Sequence, residues 1–302
     1  MTLLSRPTLV AALLFSAALT SGCRPKQAVT GKPEPYLGPT QPMSEVVAAI
    51  NANNAGVPTL WAHQNFEATV IDEKHESHFV NGDGVLLYSA PRGLRLVANK
   101  DIAGKVFELG STDDRYWFTL YPERDTMWWG WYRNLGKDCV DLRTMPVRPD
   151  LVLEVLGVST IPTNFLDPPA PVMRFNSINR AYMFVWSVPL RDRWAAQKEI
   201  WYDLDTKLPR LVLLFDENGR ELVRAKLSKH APVELPNVAA ERWPKVARLY
   251  EIFFPDSGSS MRLELDDVAP ERKGVPARPG SIKFPQDPNV AHVIQLDRDC
   301  TD

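Results

Sequence analysis

The sequence predicts an α+β domain, with about ten antiparallel strands on a large curved sheet and two or three helices. Three observations point there. Short runs of alternating apolar and polar residues, separated by turn residues, recur between residues 66 and 268. Only two stretches carry a strong helical stripe, one near the start and one in mid-chain. No internal repeat or linker divides the chain, and 44% hydrophobic residues with 10% aromatic suffice for one substantial core.

The first helix is predicted from Ser44, a good N-cap, with Val46, Val47, Ala49 and Ile50 on one stripe and Gly56 and Pro58 as its stop. Phe66, Ala68 and Val70 then alternate with Glu67 and Thr69 as a strand. Further strands are expected at 85–88, 94–98 and 116–121, and an aromatic one at 127–132 with Met127, Trp129 and Trp131 on one face. A second helix is predicted over 149–156, with Pro149 at its start and Gly157 just past its end. Residues 161–171 carry four prolines and read as irregular. Strands resume at 181–188, 199–204 and 211–215, and a turn over Asp216, Glu217, Asn218 and Gly219 leads into 221–227. Stretches 246–254 and 261–268 complete the set of about ten or eleven strands, and a short run at 292–296 is a candidate final strand beyond them.

The N-terminus reads as an address. Arg6 precedes an apolar run from Leu9 to Leu19, too short to span a bilayer and of the length a signal peptide needs. Leu19-Thr20-Ser21-Gly22-Cys23 then has the layout of a bacterial lipoprotein signal, in which Cys23 is acylated and becomes the new N-terminus. Thr20 stands where Leu is usual, with Leu19 one place earlier. Residues 1–22 are expected as signal peptide, 23–42 as a tether rich in Pro and Gly, and 43–302 as the domain. Arg24 after the cysteine, in place of the Asp that retains some lipoproteins, points to the outer membrane, facing the periplasm.

Charge excludes other partners. Thirty-five basic residues offset 37 acidic ones with no block of like charge, so no nucleic-acid footprint exists. No polybasic patch assists membrane binding, which leaves the acyl chains on Cys23 as the anchor. Beyond Cys23 only Cys139 and Cys300 remain. In an exported protein they are the minimum for one disulfide, which would pin the C-terminal tail.

Residues with catalytic potential do not form a motif. His75-Glu76-Ser77-His78 lacks the one-turn spacing of a zinc protease pair and sits between two strands, as a solvated hairpin. Asp83 between Gly82 and Gly84 has no further calcium ligands, and Ser257-Gly258-Ser259-Ser260 is no nucleophile elbow. Glu154 on the second helix has no evident partner. The expectation is a binding protein without cofactor or catalysis.

Three stretches together resemble the LolA/LolB superfamily of lipoprotein carriers. They are Gly84-Val85-Leu86-Leu87 followed by Pro91, Leu94 and Arg95; then Gly110-Ser111 through Tyr116-Trp117 to Tyr121-Pro122; then Ile200-Trp201-Tyr202-Asp203 with Thr206, Pro209, Asp216 and Gly219. They occur in the family's order over roughly residues 44–227. The resemblance implies a half-open barrel with helices covering the concave face and a cavity for acyl chains of a lipid or lipoprotein. Strand alternation gives a compatible lining. Arg115, Trp117 and Thr119, with Glu199, Trp201 and Asp203, would face out. Phe66, Ala68, Val70, Leu94, Leu96, Tyr116, Phe118, Leu120, Ile200 and Tyr202 would face in. The competing readings are an envelope sensor of the RseB kind, or a structural scaffold of the cell envelope. Protein partners are not legible.

Overall fold

The structure is a computed structural model that describes residues 34–71, 75–100, 104–121, 125–142, 145, 147–271, 282–286 and 289–300. The signal peptide, Cys23 and most of the tether lie outside the described residues. Helix α1 (Met43–Asn54) precedes strands β1 (Thr59–Ile71), β2 (Ser77–Ser89), β3 (Gly93–Lys100), β4 (Gly104–Ser111), β5 (Arg115–Leu120) and β6 (Thr126–Trp131). Helix α2 (Pro149–Leu156) follows, then β7 (Ala170–Asn176), β8 (Ala181–Pro189), β9 (Trp194–Asp203), β10 (Pro209–Phe215) and β11 (Glu221–Ser228). The chain ends with β12 (Ala231–Pro232), β13 (Lys245–Val246), β14 (Leu249–Phe254), β15 (Ser259–Ala269) and β16 (His292–Gln295).

Fourteen strands form one open sheet in the order β16-β6-β5-β4-β3-β2-β1-β15-β14-β11-β10-β9-β8-β7, while β12 and β13 pair separately. The expected ten or eleven strands undercount it. Strand β4 was hidden because its central residues Val106 to Leu109 do not alternate between apolar and polar. Strand β7 begins inside the proline-rich stretch expected to be irregular; at the sheet edge Pro171 is tolerated, since only one side of β7 is paired. The run expected as one strand over 246–254 is broken at Ala247 and Arg248 into β13 and β14.

The pairing is antiparallel throughout with one exception. Strand β16 runs parallel to β6, with His292 opposite Thr126 and Ile294 opposite Trp128. A fully antiparallel sheet is thus corrected at its last strand.

The close pairing of β2 with β3 requires two glycines in β2. At Gly84 a Cβ would stand 1.8 Å from the Val97 carbonyl oxygen, and at Gly82 one would stand 2.0 Å from that of Asn99. The glycines that flank Asp83 are thus accounted for by the approach of β3 carbonyls.

Helix α2 matches its predicted bounds, with Pro149 at the first position and Gly157 closing it at φ +68°. Helix α1 starts two residues earlier than a Ser44 N-cap implies. Pro42, not Ser44, is its N-cap, and no side chain caps it. The last residues of the stretch expected as tether, 36–42, are part of the fold. Residues from Tyr36 belong to the folded unit: Tyr36 N–H donates to the Ser177 carbonyl at 3.0 Å, its ring meets Phe175 at 5.8 Å, and Gln41 N–H donates to the Tyr182 hydroxyl at 2.8 Å.

Candidate functional site

Strand alternation sends one set of side chains to a common core face, and register aligns them in rows. One row runs Ala62, Leu86, Leu96, Leu109, Phe118, Trp128 across β1 to β6. A second runs Ala68, Met261, Ile252, Ala225, Val212, Ile200, Phe184, Met173 across β1, β15, β14 and β11 to β7. Aromatic rings thread both halves. Phe66 meets Phe107 at 5.6 Å, which meets Phe118 at 6.0 Å, and Phe184 meets Tyr202 at 5.6 Å.

Of the ten residues expected to face a cavity, Phe66, Ala68, Leu94, Leu96, Tyr116, Phe118, Ile200 and Tyr202 are buried in one cluster on this face. Leu120 is half-buried against the same cluster. Val70 is corrected: it lies 45% exposed, because β1 runs on past the packed layer toward the hairpin at residues 75–77.

Helix coverage of this face is thinner than expected. Among the described residues, two α-helices contribute, α1 through Val46, Val47 and Ile50 and α2 through Leu153, Val155 and Leu156. Irregular segments supply the rest, with Met145, Val158 and Ile161 in the same cluster. Helix α2 touches β4 and β5 on one side and β10 on the other, so eight residues bridge both halves of the sheet.

Polar contacts hold these covers in place. Asn51 exchanges two hydrogen bonds with the Ile161 backbone at 2.7 and 2.8 Å, and Asn53 exchanges two with Lys245 at 2.8 and 3.0 Å. Buried Asn54 donates to the carbonyls of Ser159 at 2.8 Å and Gly157 at 3.4 Å. The signal overlooked in the sequence is Asn51-Ala52-Asn53-Asn54: three asparagines in a last helical turn compete with helix unless their amides bind other backbone. Glu154, expected to lack a partner, accepts from Lys198 Nζ at 2.7 Å, and that ammonium also stands 4.9 Å over the Trp186 ring. Burial, with the Glu154 charge nearby, pushes the Tyr88 and Tyr202 hydroxyls above the usual tyrosine range. Three core-face polar atoms, Gln64 Oε1, Tyr116 Oη and Tyr250 Oη, have no hydrogen-bond partner among the described residues. Such buried atoms cost roughly 1–3 kcal/mol each when left unmatched.

The opposite, outer face brings a second correction. Arg115, Trp117 and Thr119 do face away from the main core, yet Trp117 is 0% and Thr119 1% exposed. A strap from the C-terminal region covers them. Ile282 packs with Trp117 and Met127, and the Phe284 ring lies 5.6 Å from Trp117 and 5.3 Å from Trp129. Beyond the strap, Asp297 accepts hydrogen bonds from Trp131 N–H at 3.0 Å and the Asn134 amide at 2.8 Å. Cys139 and Cys300 are joined by a disulfide with Cα atoms 5.3 Å apart, closing the C-terminal region onto the loop after β6.

Among the described residues, no group of three or more His, Cys, Asp or Glu is placed to hold a metal ion, and no helix is long and apolar enough to cross a membrane. The chain matches no family model, and no curated protein sequence matches it. Solved structures do match. A DUF1329 family protein from Desulfovibrio piger aligns with TM-score 0.50 and 8% identity over 78% of this chain and 96% of that one. A putative outer membrane lipoprotein-sorting protein domain from Vibrio parahaemolyticus aligns with TM-score 0.42 and 13% identity over 74% of this chain and 90% of that one. A LolA superfamily protein from Nitrosomonas europaea aligns with TM-score 0.42 and 11% identity over 76% and 94%. What the chain shares with the Desulfovibrio piger protein is its fold.

Proposed function

We infer that this is a cell-envelope lipoprotein, anchored through acylated Cys23, that holds an acyl chain of a lipid or lipoprotein between its sheet and helices without chemical conversion. The observation that carries the reading is the cover of the core face. A wide apolar layer built from both halves of the sheet is bridged by eight-residue α2, which the Glu154–Lys198 ion pair ties to β9. Opening so short a cover disturbs little regular structure. An alkyl chain slid beneath it is repaid at about 0.8 kcal/mol per buried methylene. The lipoprotein-carrier motifs between residues 84 and 219 support the same reading. Two acyl signals or more make a stable anchor, which a triacylated cysteine supplies, and Arg24 favours delivery to the outer membrane.

Native mass spectrometry of the purified full chain, released from nonionic detergent, tests this function. The expected result is a lipid-sized adduct, present on isolation or gained when palmitate or phosphatidylglycerol is added. A mass that takes up neither lipid contradicts the carrier reading and favours a sensor or scaffold. The anchor is tested apart: Cys23→Ala should abolish incorporation of labelled fatty acid, and label retained in that variant places the anchor elsewhere.

A further inference from the structure

On the outer face, opposite the main core, the strap and the start of β5 border an open cleft of about 480 Å³. It is lined by Thr112, Asp114, Arg115, Lys283, Phe284 and Gln286. That volume falls in the range of small-molecule sites.

Arg115 is held there by rings. Its guanidinium carbon lies 4.2 Å from the Trp131 ring centre, 4.9 Å from Phe284 and 5.8 Å from Trp129. Ring contacts take the faces of a guanidinium and leave its in-plane N–H groups to seek oxygen. Three other arginines on this chain have their forks filled. Arg95 meets both oxygens of Glu108 at 2.9 and 3.3 Å, Arg148 those of Asp150 at 3.2 and 2.6 Å, and Arg224 those of Glu221 at 2.9 and 2.8 Å. Arg115 differs. Its Nε is buried with no hydrogen-bond partner among the described residues, and Asp114 Oδ2 comes no closer than 3.7 Å. The other oxygen, Asp114 Oδ1, accepts from the Thr112 hydroxyl at 2.7 Å, so Arg115 keeps one long ion pair where the other three have two short bonds. Lys283, across the cleft, forms no ion pair among the described residues. Two cations therefore face one carboxylate that is already engaged.

We propose that this cleft binds a phosphate ester, its oxyanion received by the Arg115 fork and the Lys283 ammonium and its organic part lying against Phe284. With Nε buried and the side chain 32% exposed, Arg115 meets the cleft through its terminal guanidinium nitrogens, which can pair with a two-oxygen anion, and phosphate offers a further oxygen for the second cation. Inorganic phosphate alone is small for the space, which favours an ester. The ester is either a free metabolite or the headgroup of a phospholipid.

Isothermal titration of the full chain in nonionic detergent with glycerol 3-phosphate, and with micelles doped with phosphatidylglycerol, tests it. Arg115→Lys keeps the charge but loses the fork; Lys283→Ala removes an exposed cation that the fold does not use. Each should weaken binding about tenfold or more. Binding of glycerol 3-phosphate upholds the site with a soluble ester as source, and binding of the doped micelles alone upholds it with the headgroup as source, provided both variants weaken it. Affinity unchanged in Lys283→Ala and Arg115→Lys overturns the proposal. So does equal affinity for succinate, or no binding of either probe up to roughly 10 mM phosphate.

Discussion

Lys198 on β9 and Glu154 on α2 form an ion pair of 2.7 Å at the margin of the core face, with 16% and 35% of their side chains exposed. The pair ties the helix that bridges the two halves of the sheet to one of those halves. Partial exposure screens it, so its worth is that of a semi-buried pair, about 1 kcal/mol. A double-mutant cycle with Lys198→Met and Glu154→Gln, read by urea denaturation, should return a coupling of that size. Additive effects of the two substitutions would show that the pair does not fasten α2.

The asparagine clamp of α1 should matter more. Asn51→Ala removes both a donor and an acceptor from the Ile161 backbone, and Asn54→Ala removes a buried amide that serves two carbonyls. Each is expected to cost about 2 kcal/mol, since backbone groups lose their partners under partial burial. Ala49→Ser, on an exposed position of the same helix, should change stability by less than roughly 0.7 kcal/mol. Equal effects at all three sites in thermal or urea unfolding would contradict the clamp.

The disulfide spans 161 residues, and chain entropy assigns it about 5 kcal/mol of stabilisation. Cys300→Ser should lower the unfolding midpoint, and limited proteolysis should then remove the C-terminal region before the rest of the sheet is cut. Alkylation of the unfolded, unreduced protein should modify neither Cys139 nor Cys300. Two reactive thiols in material from the cell envelope would rule the bridge out.

Acid should unfold this protein through two paired carboxyls. Burial works against ionisation of Glu108, but Arg95 and Lys105 outweigh it and hold the carboxyl below the usual value of 4.5. Burial likewise opposes Asp297, whose bonds from Asn134, Trp131 N–H and Gln295 hold it below 3.8. A depressed carboxyl contributes its stability fully above its unfolded pKa and loses it as pH falls through the lower folded one. Stability should therefore decline below about pH 4.5. Glu108→Gln and Asp297→Asn should each be less stable than the wild type at pH 7 and should flatten that decline. An acid limb unchanged in both variants would contradict the assignment.

Much of the fold was legible because alternation and helix punctuation are local. Pro149 and Gly157 bracketed α2, and Asp216 to Gly219 marked the turn between β10 and β11. What escaped depends on contacts distant in sequence. Nothing near Trp117 announces that Phe284 will cover it, so an alternating strand read as half-exposed is buried on both faces. The parallel pairing of β16 depends on where the chain re-enters the sheet, which a four-residue strand does not encode. Lys198 stands one residue before the strand expected at 199–204; the longer β9 puts it on the same face as Ile200, where Glu154 and the Trp186 ring receive its charge. Strand parity sufficed to place most of the core-face residues, and their cover was not legible.

The central claim is that the layer between sheet and helices accepts an acyl chain. Photolabelling the full chain with a diazirine-bearing fatty acid, followed by peptide mapping, tests it most directly. Label is predicted on peptides carrying Phe66, Leu96, Phe118 or Tyr202 and on α2, and competition by unlabelled palmitate should remove it. Label confined to outer-face peptides such as those with Phe79 or Trp194, or label that palmitate does not displace, would contradict the account.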